Sequence, residues 1–375
     1  MDFSRSDIQT MLLDSAERLL AEDSGAEYWR EQRHNTLGFD TERWARFAEL
    51  GWLALPLPEA AGGLAGSIED VALLNVALGR ALAPEPYVSS VVLAADILGR
   101  AAPDGPAQQA LEAMAIGAER FALAHQETGI DPLAGEAPGT LARRTGDGFV
   151  LDGAKLLCLD APSAHQLIVS ARIEGEDGLA LFLVPVSAEG LSLAPYPLID
   201  GTRAADVTFR AVALGHDALL AGSNGGAAVL AAAIDRAQIA LMAQAVGAME
   251  AANTVCGAYA KERKQFGVAI GSFQAIQHML ADMFVAANQA RSMLYHALAN
   301  ADAPAETRQA AISAARIVIG EASQLVSRSG IQLHGGYGLT DEYAISHYFR
   351  RLMCIEKQFG DLNAHTARFG ATIFA

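Results

Sequence analysis

Apolar residues in the first third of the chain recur at the spacing of an amphipathic helix. Ile8, Leu12 and Leu19 fall on one face, because residues three or four apart lie together on a helical surface. The same period returns between Asp70 and Leu82. Stretches rich in proline and glycine separate these segments and are typical of loops. The pattern therefore predicts a helical domain over residues 1–118.

The period changes over residues 119–222, where short apolar runs alternate with turns. Ala180–Pro185 is one such run, and Gly146–Gly148 is typical of a hairpin turn between two strands. Strands joined in this way predict a middle domain that is an antiparallel β barrel or sandwich. Long helical stretches with short links return over residues 223–375 and predict a C-terminal helical bundle. The expected fold class is α+β, mainly α.

Composition and charge narrow the possible partners. The 375 residues are 51% hydrophobic and 19% charged, which is enough apolar material for a large interior. A formal net charge of −16 repels nucleic acid and anionic membranes, so we expect neither as a partner. The three cysteines are far apart and form no CxxC pair, which argues against disulfides and against a zinc site. With no leader-like apolar segment near Met1, the sequence predicts a cytoplasmic protein.

A basic segment between two predicted helices is the first candidate for chemistry. The run from Tyr259 to Gln274 reads YAKERKQFGVAIGSFQ, so one helix ends in cations, a glycine turn follows, and a second helix begins. The helix dipole favours cations at a helix C-terminus, and spacing alone favours this capping interpretation. The alternative is that the guanidinium of Arg263 binds a pyrophosphate through two parallel hydrogen bonds.

A glycine-rich segment is the second candidate. Residues Gly330–Gly338 read GIQLHGGYG, and glycines let a backbone approach a ligand closely. The alternative is a flexible loop between helices, and the motif alone does not decide between the two. Because no GxGxxG motif leads from a strand into a helix, a Rossmann nucleotide site is excluded.

Taken together, in this order and at this separation, the two segments resemble the acyl-CoA dehydrogenase family. Four further stretches match the family along the chain: FAELGW at 47–52, LPEAAGG at 57–63, LGRALA at 78–83 and LDGAK at 151–155. The resemblance covers nearly the whole chain. It implies an N-terminal helical domain, a middle β domain and a C-terminal four-helix bundle that builds a tetramer. It also implies FAD extended between domains and across a subunit interface.

The resemblance further implies which residues hold FAD. Arg263 matches the family's arginine on the FAD pyrophosphate of a neighbouring subunit. The other matched positions fall into three groups: Gln265 and Phe266 beside the arginine, Phe273 and Gln274 as the next FAD-contacting pair, and Gln332, Gly335 and Gly336 along the adenine half.

Two stretches of the middle domain depart from the family pattern. Residues 122–131 read ALAHQETGID, so His125 stands where the family has a threonine. Leu157–Leu159 replaces a W-I-T stretch, and a leucine side chain cannot hydrogen-bond the flavin. These changes raise the hypothesis that a companion subunit holds the flavin ring. His125 and His334 are either polar groups of the site or structural histidines.

The family chemistry needs a carboxylate base that removes the α-proton of the acyl group, and a desolvated carboxylate is the stronger base. Most members carry a glutamate in a Y-E-G-T stretch before the last helix. Counting back from Arg368 places Asp361 there, whereas counting forward from Phe359 places Gly360 there. Asp361 is equally well placed to cap the following helix. Other members carry the base before an arginine on the first bundle helix, which makes Asp235 the second candidate, with an ion pair as its alternative role.

The activity that the resemblance implies is FAD-dependent α,β-dehydrogenation of an acyl-CoA thioester to the trans-2-enoyl-CoA, as in the beta-oxidation of fatty acid metabolism. Electron-transfer flavoprotein is the expected electron acceptor. The altered motifs resemble smaller subunits of heteromeric members that act on pimeloyl-CoA or steroid side-chain thioesters. The expected assembly is therefore a homotetramer, or a heterotetramer with a second acyl-CoA dehydrogenase subunit. The alternative is a flavin-poor partner subunit that clamps FAD across the interface without carrying the base. A flavin oxidase or monooxygenase on the same scaffold has no motif in its favour.

Overall fold

The computed structural model describes residues 5–22, 25–101, 105–129 and 138–373. The chain forms two compact units from interleaved segments. The first, the helical unit, comprises Met1–His34, Ile68–Pro84 and Gln238–Ala375, and the second, the sheet unit, comprises Asn35–Ser67 and Glu85–Ala237. The division into domains at 1–118, 119–222 and 223–375 stays a prediction.

Helices precede and follow a group of strands along the chain. The helices are α1 (Asp7–Glu22), α2 (Gly25–Gln32), α3 (Thr41–Glu49), α4 (Ile68–Arg80), α5 (Ala94–Arg100), α6 (Pro106–Ala115), α7 (Gly226–Glu262), α8 (Gln274–Ala299), α9 (Ala305–His334), α10 (Ala344–Lys357) and α11 (Leu362–Ile373). The strands are β1 (Phe121–Ala124), β2 (Leu141–Thr145), β3 (Gly148–Leu159), β4 (Gln166–Ile173), β5 (Ala180–Pro185), β6 (Leu191–Pro197), β7 (Arg203–Gly215), β8 (Leu219–Ala221), β9 (Lys264–Gln265) and β10 (Val268–Ala269).

The helical unit is organised around α9. Helices α8, α10 and α11 all pack against it, while α1 packs against α4 and α2 packs against α10. The sequence of α9 explains this position, because Ile312, Ile319, Val326 and Leu333 are buried and recur every seven residues. Residues seven apart lie on one helical face, so α9 presents a continuous apolar stripe to its neighbours.

Helix α7 is long and apolar enough to cross a membrane by length and composition alone, and it is the only such helix among the residues that the structure describes. Within the fold, 67% of its most apolar window is buried. That burial is typical of the core helix of a folded domain.

Helices α4 and α7 cross at two glycines. A Cβ atom added at Gly79 would lie 2.1 Å from the carbonyl oxygen of Gln244, and one added at Gly247 would lie 2.0 Å from that of Val76. The backbones therefore touch directly, and no larger residue fits at either position. Buried side chains support the crossing, since the Gln244 amide donates to Asn75 Oδ1 at 3.0 Å.

The sheet unit contains an eight-stranded sheet in the order β6-β7-β3-β2-β4-β5-β8, with β1 added through β4. Neighbouring strands are antiparallel except for β1–β4 and β2–β4, which are parallel. Apolar side chains fill its core, where Phe149 and Phe182 meet edge to face with ring centroids 5.0 Å apart. The predicted fold class is confirmed, with one difference: the sheet is mixed rather than purely antiparallel. Parallel neighbours need crossover connections, which the local turn signals did not indicate.

Candidate functional site

A cavity of about 510 Å³ lies in the helical unit, between the end of α7, the β9–β10 hairpin and the end of α9. Residues from both segments singled out in the sequence line it: Tyr259, Arg263, Gln265, Ile270, Gln332, Leu333, His334, Gly335, Gly336, Tyr337 and Thr340. The structure thus brings together five of the predicted FAD-binding residues, which are Arg263, Gln265, Gln332, Gly335 and Gly336. Phe266, Phe273 and Gln274 do not line this cavity.

Arg263 has an anchored backbone and an available side chain. Its N–H donates to the carbonyl of Tyr259 and its carbonyl accepts from Ile270, both at 2.8 Å. The guanidinium lies over the ring of Tyr337, with its Cζ 5.3 Å from the ring centroid. Within the described ranges, no carboxylate or carbonyl accepts a hydrogen bond from this guanidinium. Side-chain capping of α7 would require such bonds, so the geometry favours anion binding by its N–H donors.

The glycine turn exposes peptide groups to the cavity. Helix α9 ends at His334, and the chain turns at Gly335 with φ of +61°. A Cβ atom added at Gly335 or Gly336 would meet nothing within 4 Å. Open space beside both residues means that a ligand can approach their backbone closely. Gln332 lies in the last turn of α9 and lines the same cavity.

Aromatic rings form one wall of the cavity. Tyr259 and His334 stack with centroids 4.1 Å apart, and Tyr343 contacts both. The Nδ1–H of His334 donates to the carbonyl of Gly330 at 2.8 Å, and burial lowers the pKa of this histidine, so it is neutral at physiological pH. His334 therefore shapes the wall. The sequence reasoning missed Tyr259 and Tyr337, although both stand inside the two segments that it singled out.

The β9–β10 hairpin holds an aromatic ring in solvent. Its two-residue turn places Phe266 at φ +52° and Gly267 at φ +85°, which is the pattern of a type I′ turn. A left-handed conformation costs a non-glycine residue about 1–2 kcal/mol. Phe266 is nevertheless 92% exposed, and its ring contacts Phe273, just before α8, with centroids 6.2 Å apart. Gln274 is the first residue of α8.

The cavity fits the diphosphate and adenine portions of FAD. A guanidinium without an ion-pair partner can neutralise phosphate oxygens through bidentate hydrogen bonds. Peptide groups next to open glycines can approach the same anion, and flat aromatic faces suit a purine ring. These features therefore fit the part of the cofactor that the resemblance assigns to these residues.

Asp361 occupies the N-cap of α11. Its Oδ1 accepts from the N–H of Ala364 at 3.0 Å, and the ammonium of Lys357 lies 3.4 Å from Oδ2. The hydrogen bond from Ala364 and the charge of Lys357 hold the pKa of Asp361 below its usual range. A carboxylate with a lowered pKa is a weaker base. The placement therefore favours the capping interpretation of this residue.

Asp235 lies within α7 and is only 1% exposed. Its helical neighbours Ala233, Ile234 and Ala237 are buried as well. Its carboxylate is therefore shielded from bulk water within this chain. Asp235 belongs to the sheet unit and Asp361 to the helical unit.

In the sheet unit, His125 belongs to a buried polar cluster. Its Nδ1 lies 2.9 Å from Ser170 Oγ, and the buried ammonium of Lys155 donates to the same hydroxyl at 3.0 Å and to Glu127 Oε1 at 2.6 Å. Burial lowers the pKa of Lys155 to about 8. The contact with Ser170 and the burial of His125 favour the structural interpretation, which stays a prediction. Residues 130 and 131 of the same stretch lie outside the described residues.

The altered W-I-T stretch exposes apolar surface. Leu157 has φ of +49° and a largely exposed side chain, and its N–H donates to Asp206 Oδ1 at 3.0 Å. Across the described ranges, no group of three or more histidine, cysteine, aspartate or glutamate side chains could hold a metal ion.

Comparison with known proteins gives consistent matches. The family "Acyl-CoA dehydrogenase, N-terminal domain" matches residues 6–118, and "Acyl-CoA dehydrogenase, C-terminal domain" matches residues 224–373. The chain is 30% identical over 364 residues to "Probable acyl-CoA dehydrogenase YngJ" of Bacillus subtilis, covering 93% of this chain and 92% of that protein. It is 30% identical over 344 residues to "Acyl-CoA dehydrogenase IpdE2" of Mycobacterium tuberculosis, with coverages of 91% and 89%. A solved structure of a variant of the "Tcur3481-Tcur3483 steroid ACAD" superposes with a TM-score of 0.87 at 30% identity over 98% of each chain.

Proposed function

Because the chain belongs to the acyl-CoA dehydrogenase family, whose members are FAD-binding oxidoreductases acting on acyl-CoA, we propose that it catalyses α,β-dehydrogenation of an acyl-CoA thioester to the trans-2-enoyl-CoA. The observation that carries the proposal is the guanidinium of Arg263. It lines a cavity together with the glycine turn and has no hydrogen-bond acceptor within the described ranges. FAD, when bound, supplies the acceptor for the hydride that leaves Cβ.

The cavity residues hold the cofactor in this proposal. Arg263 binds the diphosphate, Gln265 and Gln332 offer amide groups beside it, and Gly335 and Gly336 leave room for the adenosine portion. The exposed hairpin ring of Phe266, with Phe273 and Gln274 behind it, contacts the cofactor of a neighbouring subunit. Exposure of a large ring on a strained turn supports this role, because neither the burial of apolar surface nor backbone preference explains it.

Asp235 is the proposed base. Its carboxylate accepts the proton from Cα while a hydride leaves Cβ, so two electrons and one proton pass to the acceptor side as the C–C double bond forms. Burial of Asp235 supports this assignment. Asp361, the other candidate, has a lowered pKa and accepts a hydrogen bond from Ala364 at the N-cap, which supports a capping role for it.

We propose electron-transfer flavoprotein as the electron acceptor, a cytoplasmic location, and an assembly that is a homotetramer or a heterotetramer with a second acyl-CoA dehydrogenase subunit. The similar solved structure is named for two chains and as a "steroid ACAD", which supports a heteromeric assembly and a bulky or dicarboxylic acyl group, as in heteromeric members. A place in beta-oxidation follows from the reaction type.

In a second candidate function, the cavity residues still bind FAD, but this chain does not supply the catalytic base. In it, this chain is a flavin-poor partner subunit whose cavity holds FAD across the interface while a companion holds the flavin ring. Leu159 favours this candidate, because it stands at the family's threonine position in the altered W-I-T stretch and its apolar side chain cannot hydrogen-bond the flavin. Measuring FAD per chain in protein purified alone separates the two. The first candidate predicts about one FAD per chain, and the second predicts colourless protein that gains flavin only with its companion.

Two isosteric variants test the base. We expect Asp235→Asn to lower kcat by about 10²–10⁴-fold, the usual contribution of a general base, with FAD content unchanged. Asp361→Asn keeps an oxygen acceptor at the N-cap and should retain most of the activity. Steady-state kinetics of both variants with the same acyl-CoA decide the matter. A large loss in Asp361→Asn beside an active Asp235→Asn would show that the base assignment is wrong.

A further inference from the structure

The loop between α10 and α11, residues 358–361, is held by one buried arginine. Arg316 is nine-tenths or more buried in the middle of α9, and the two hydrogens of its Nη2 are shared among the carbonyls of Ile355, Glu356, Gln358 and Gly360, which lie 3.2, 3.1, 2.8 and 3.1 Å from it. Nη1 also donates to Ile355 at 3.2 Å. The first two carbonyls end α10, where the helix dipole favours a cation.

A buried histidine fixes the remaining carbonyl of this α10–α11 loop. His365 Nε2 lies 3.1 Å from the carbonyl of Phe359, and its Nδ1 lies 3.4 Å from Ser313 Oγ. Burial, together with the nearby charge of Arg316, lowers the pKa of His365 to about 3. The histidine is therefore neutral, and its Nε2–H donates to Phe359. The carbonyls of residues 358, 359 and 360 are all engaged by α9 and α11.

The peptide N–H groups of the loop differ from its carbonyls, because two of them have no hydrogen-bond acceptor in the described part of the chain. Phe359 and Gly360 have φ of +54° and +93°, so two successive residues are left-handed. Glu356 Oε1 accepts from the N–H of Leu362 at 3.0 Å, and Asp361 serves Ala364, which satisfies the start of α11. For the N–H groups of Phe359 and Gly360, the described part of the chain offers no acceptor. With its carbonyls turned inward, the loop keeps these donors free for a ligand oxygen.

We propose that Arg316 is a positioning residue for the dehydrogenation. It holds the α10–α11 loop in the conformation that presents the N–H groups of Phe359 and Gly360 to the bound acyl-CoA. The inference rests on the proposed function, since the loop corresponds to the stretch that carries the base in most family members. Arg316 is not the base, and in this proposal its side chain contacts neither substrate nor cofactor. It acts only by holding the backbone of the α10–α11 loop.

A buried cation supports a positioning role more than a stabilising one. Desolvation lowers the pKa of Arg316 to about 10, so it remains charged at neutral pH at a cost in solvation. An apolar side chain could fill this space, but it could not donate to the carbonyls around it, so the conformation of the loop is what requires the cation here. The same helix α9 carries Gln332 of the cofactor cavity sixteen residues later (332 − 316 = 16), or about 24 Å along its axis. Helix α9 therefore carries both a residue that lines the cavity and the arginine that holds the α10–α11 loop.

Full-length, FAD-loaded protein tests the inference with Arg316→Gln, Arg316→Lys and, as matched control, Arg328→Gln at an exposed position of the same helix. We expect Arg316→Gln to speed hydrogen exchange of the amides of residues 359–364 by about tenfold or more, because local opening becomes easier. Its kcat should fall by about 10–100-fold, as expected for misplaced binding groups, with FAD content unchanged. Arg316→Lys should recover part of both effects, and Arg328→Gln should show neither.

His365→Asn provides the milder variant if Arg316→Gln does not fold. It removes the bond to Phe359 and the contact with Ser313 but leaves the bonds of Arg316 in place, so we expect a smaller change of the same sign in exchange and in kcat. A folded, FAD-loaded Arg316→Gln or His365→Asn with wild-type exchange and wild-type kcat overturns the inference alone. A wild-type protein that loads FAD and oxidises no acyl-CoA overturns the proposed function, and the catalytic role of Arg316 with it.

Discussion

Arg263 and Arg316 belong to the same unit and carry the same side chain, yet their surroundings are opposite. The guanidinium of Arg263 lies at an open cavity over Tyr337, with no acceptor within the described ranges. The guanidinium of Arg316 is buried and shared among four peptide carbonyls. The difference shows how hydrogen-bond satisfaction separates two functions of one residue type. An arginine with free donors at a cavity is available to an external anion, whereas one whose terminal nitrogens bond backbone carbonyls orders the backbone around it.

Stability should show the largest contrast between the two arginines. We expect Arg316→Met to lower the free energy of unfolding by about 3–5 kcal/mol, because it leaves several buried carbonyls without donors. Arg263→Met should change it by about 0.5 kcal/mol or less, since no partner is lost. Urea unfolding of both variants without added FAD measures this. Equal losses would contradict the distinction drawn between the two sites.

For FAD affinity we expect the larger effect at Arg263 rather than at Arg316. We expect Arg263→Met to weaken FAD binding about 100-fold, equivalent to the loss of about 2.7 kcal/mol of charge-assisted hydrogen bonding. Arg263→Lys should lose about tenfold, because an ammonium cannot bind a phosphate in bidentate fashion. Titration of FAD into the assembled, FAD-free protein measures both. Lys261→Met is the matched control, since this exposed cation does not line the cavity.

The smallest effect concerns Asp361, the capping carboxylate beside the loop that Arg316 holds. Loss of an N-cap side chain costs about 1 kcal/mol, so Asp361→Ala should be destabilised by that amount at neutral pH, and Asp361→Asn by less. The folded-state pKa of Asp361 is lowered, so its stabilisation is fully present above the unfolded value of about 3.9. It is lost as pH falls through the lower folded value. Unfolding free energies of wild type and Asp361→Ala should therefore converge below about pH 4.

The residues that line the cavity of the helical unit could be singled out from sequence because they stand in two short, unusual segments. Arg263 lies in a basic run and the glycine turn in a glycine-rich one, so each could be noticed without knowing what it contacts. Arg316 could not be noticed in this way. It stands in an alanine-rich helical stretch, and its acceptors are backbone carbonyls some forty residues later, which leave no mark on side-chain composition.

The fold shows the same division between local and distant signals. Helical and strand periods are local, and they gave the correct element types and order. The parallel pairing of β1 and β2 with β4 depends on chain crossovers, and the interleaving of the two units depends on contacts between distant segments. Asp361 was ambiguous for a related reason. An aspartate before a helix serves equally well as cap or base, and only the position of the Ala364 N–H distinguishes them.

The backbone contact of α4 with α7 has a consequence during synthesis. Gly247 follows Gly79 by 168 residues (247 − 79 = 168), so the ribosome works for roughly 8–34 s at about 5–20 residues per second before the second glycine exists. Throughout that interval, the face of α4 that carries Gly79 lacks the surface on which it packs in the finished protein. This face of the nascent N-terminal segment therefore stays without its packing partner until α7 has been translated and has left the exit tunnel.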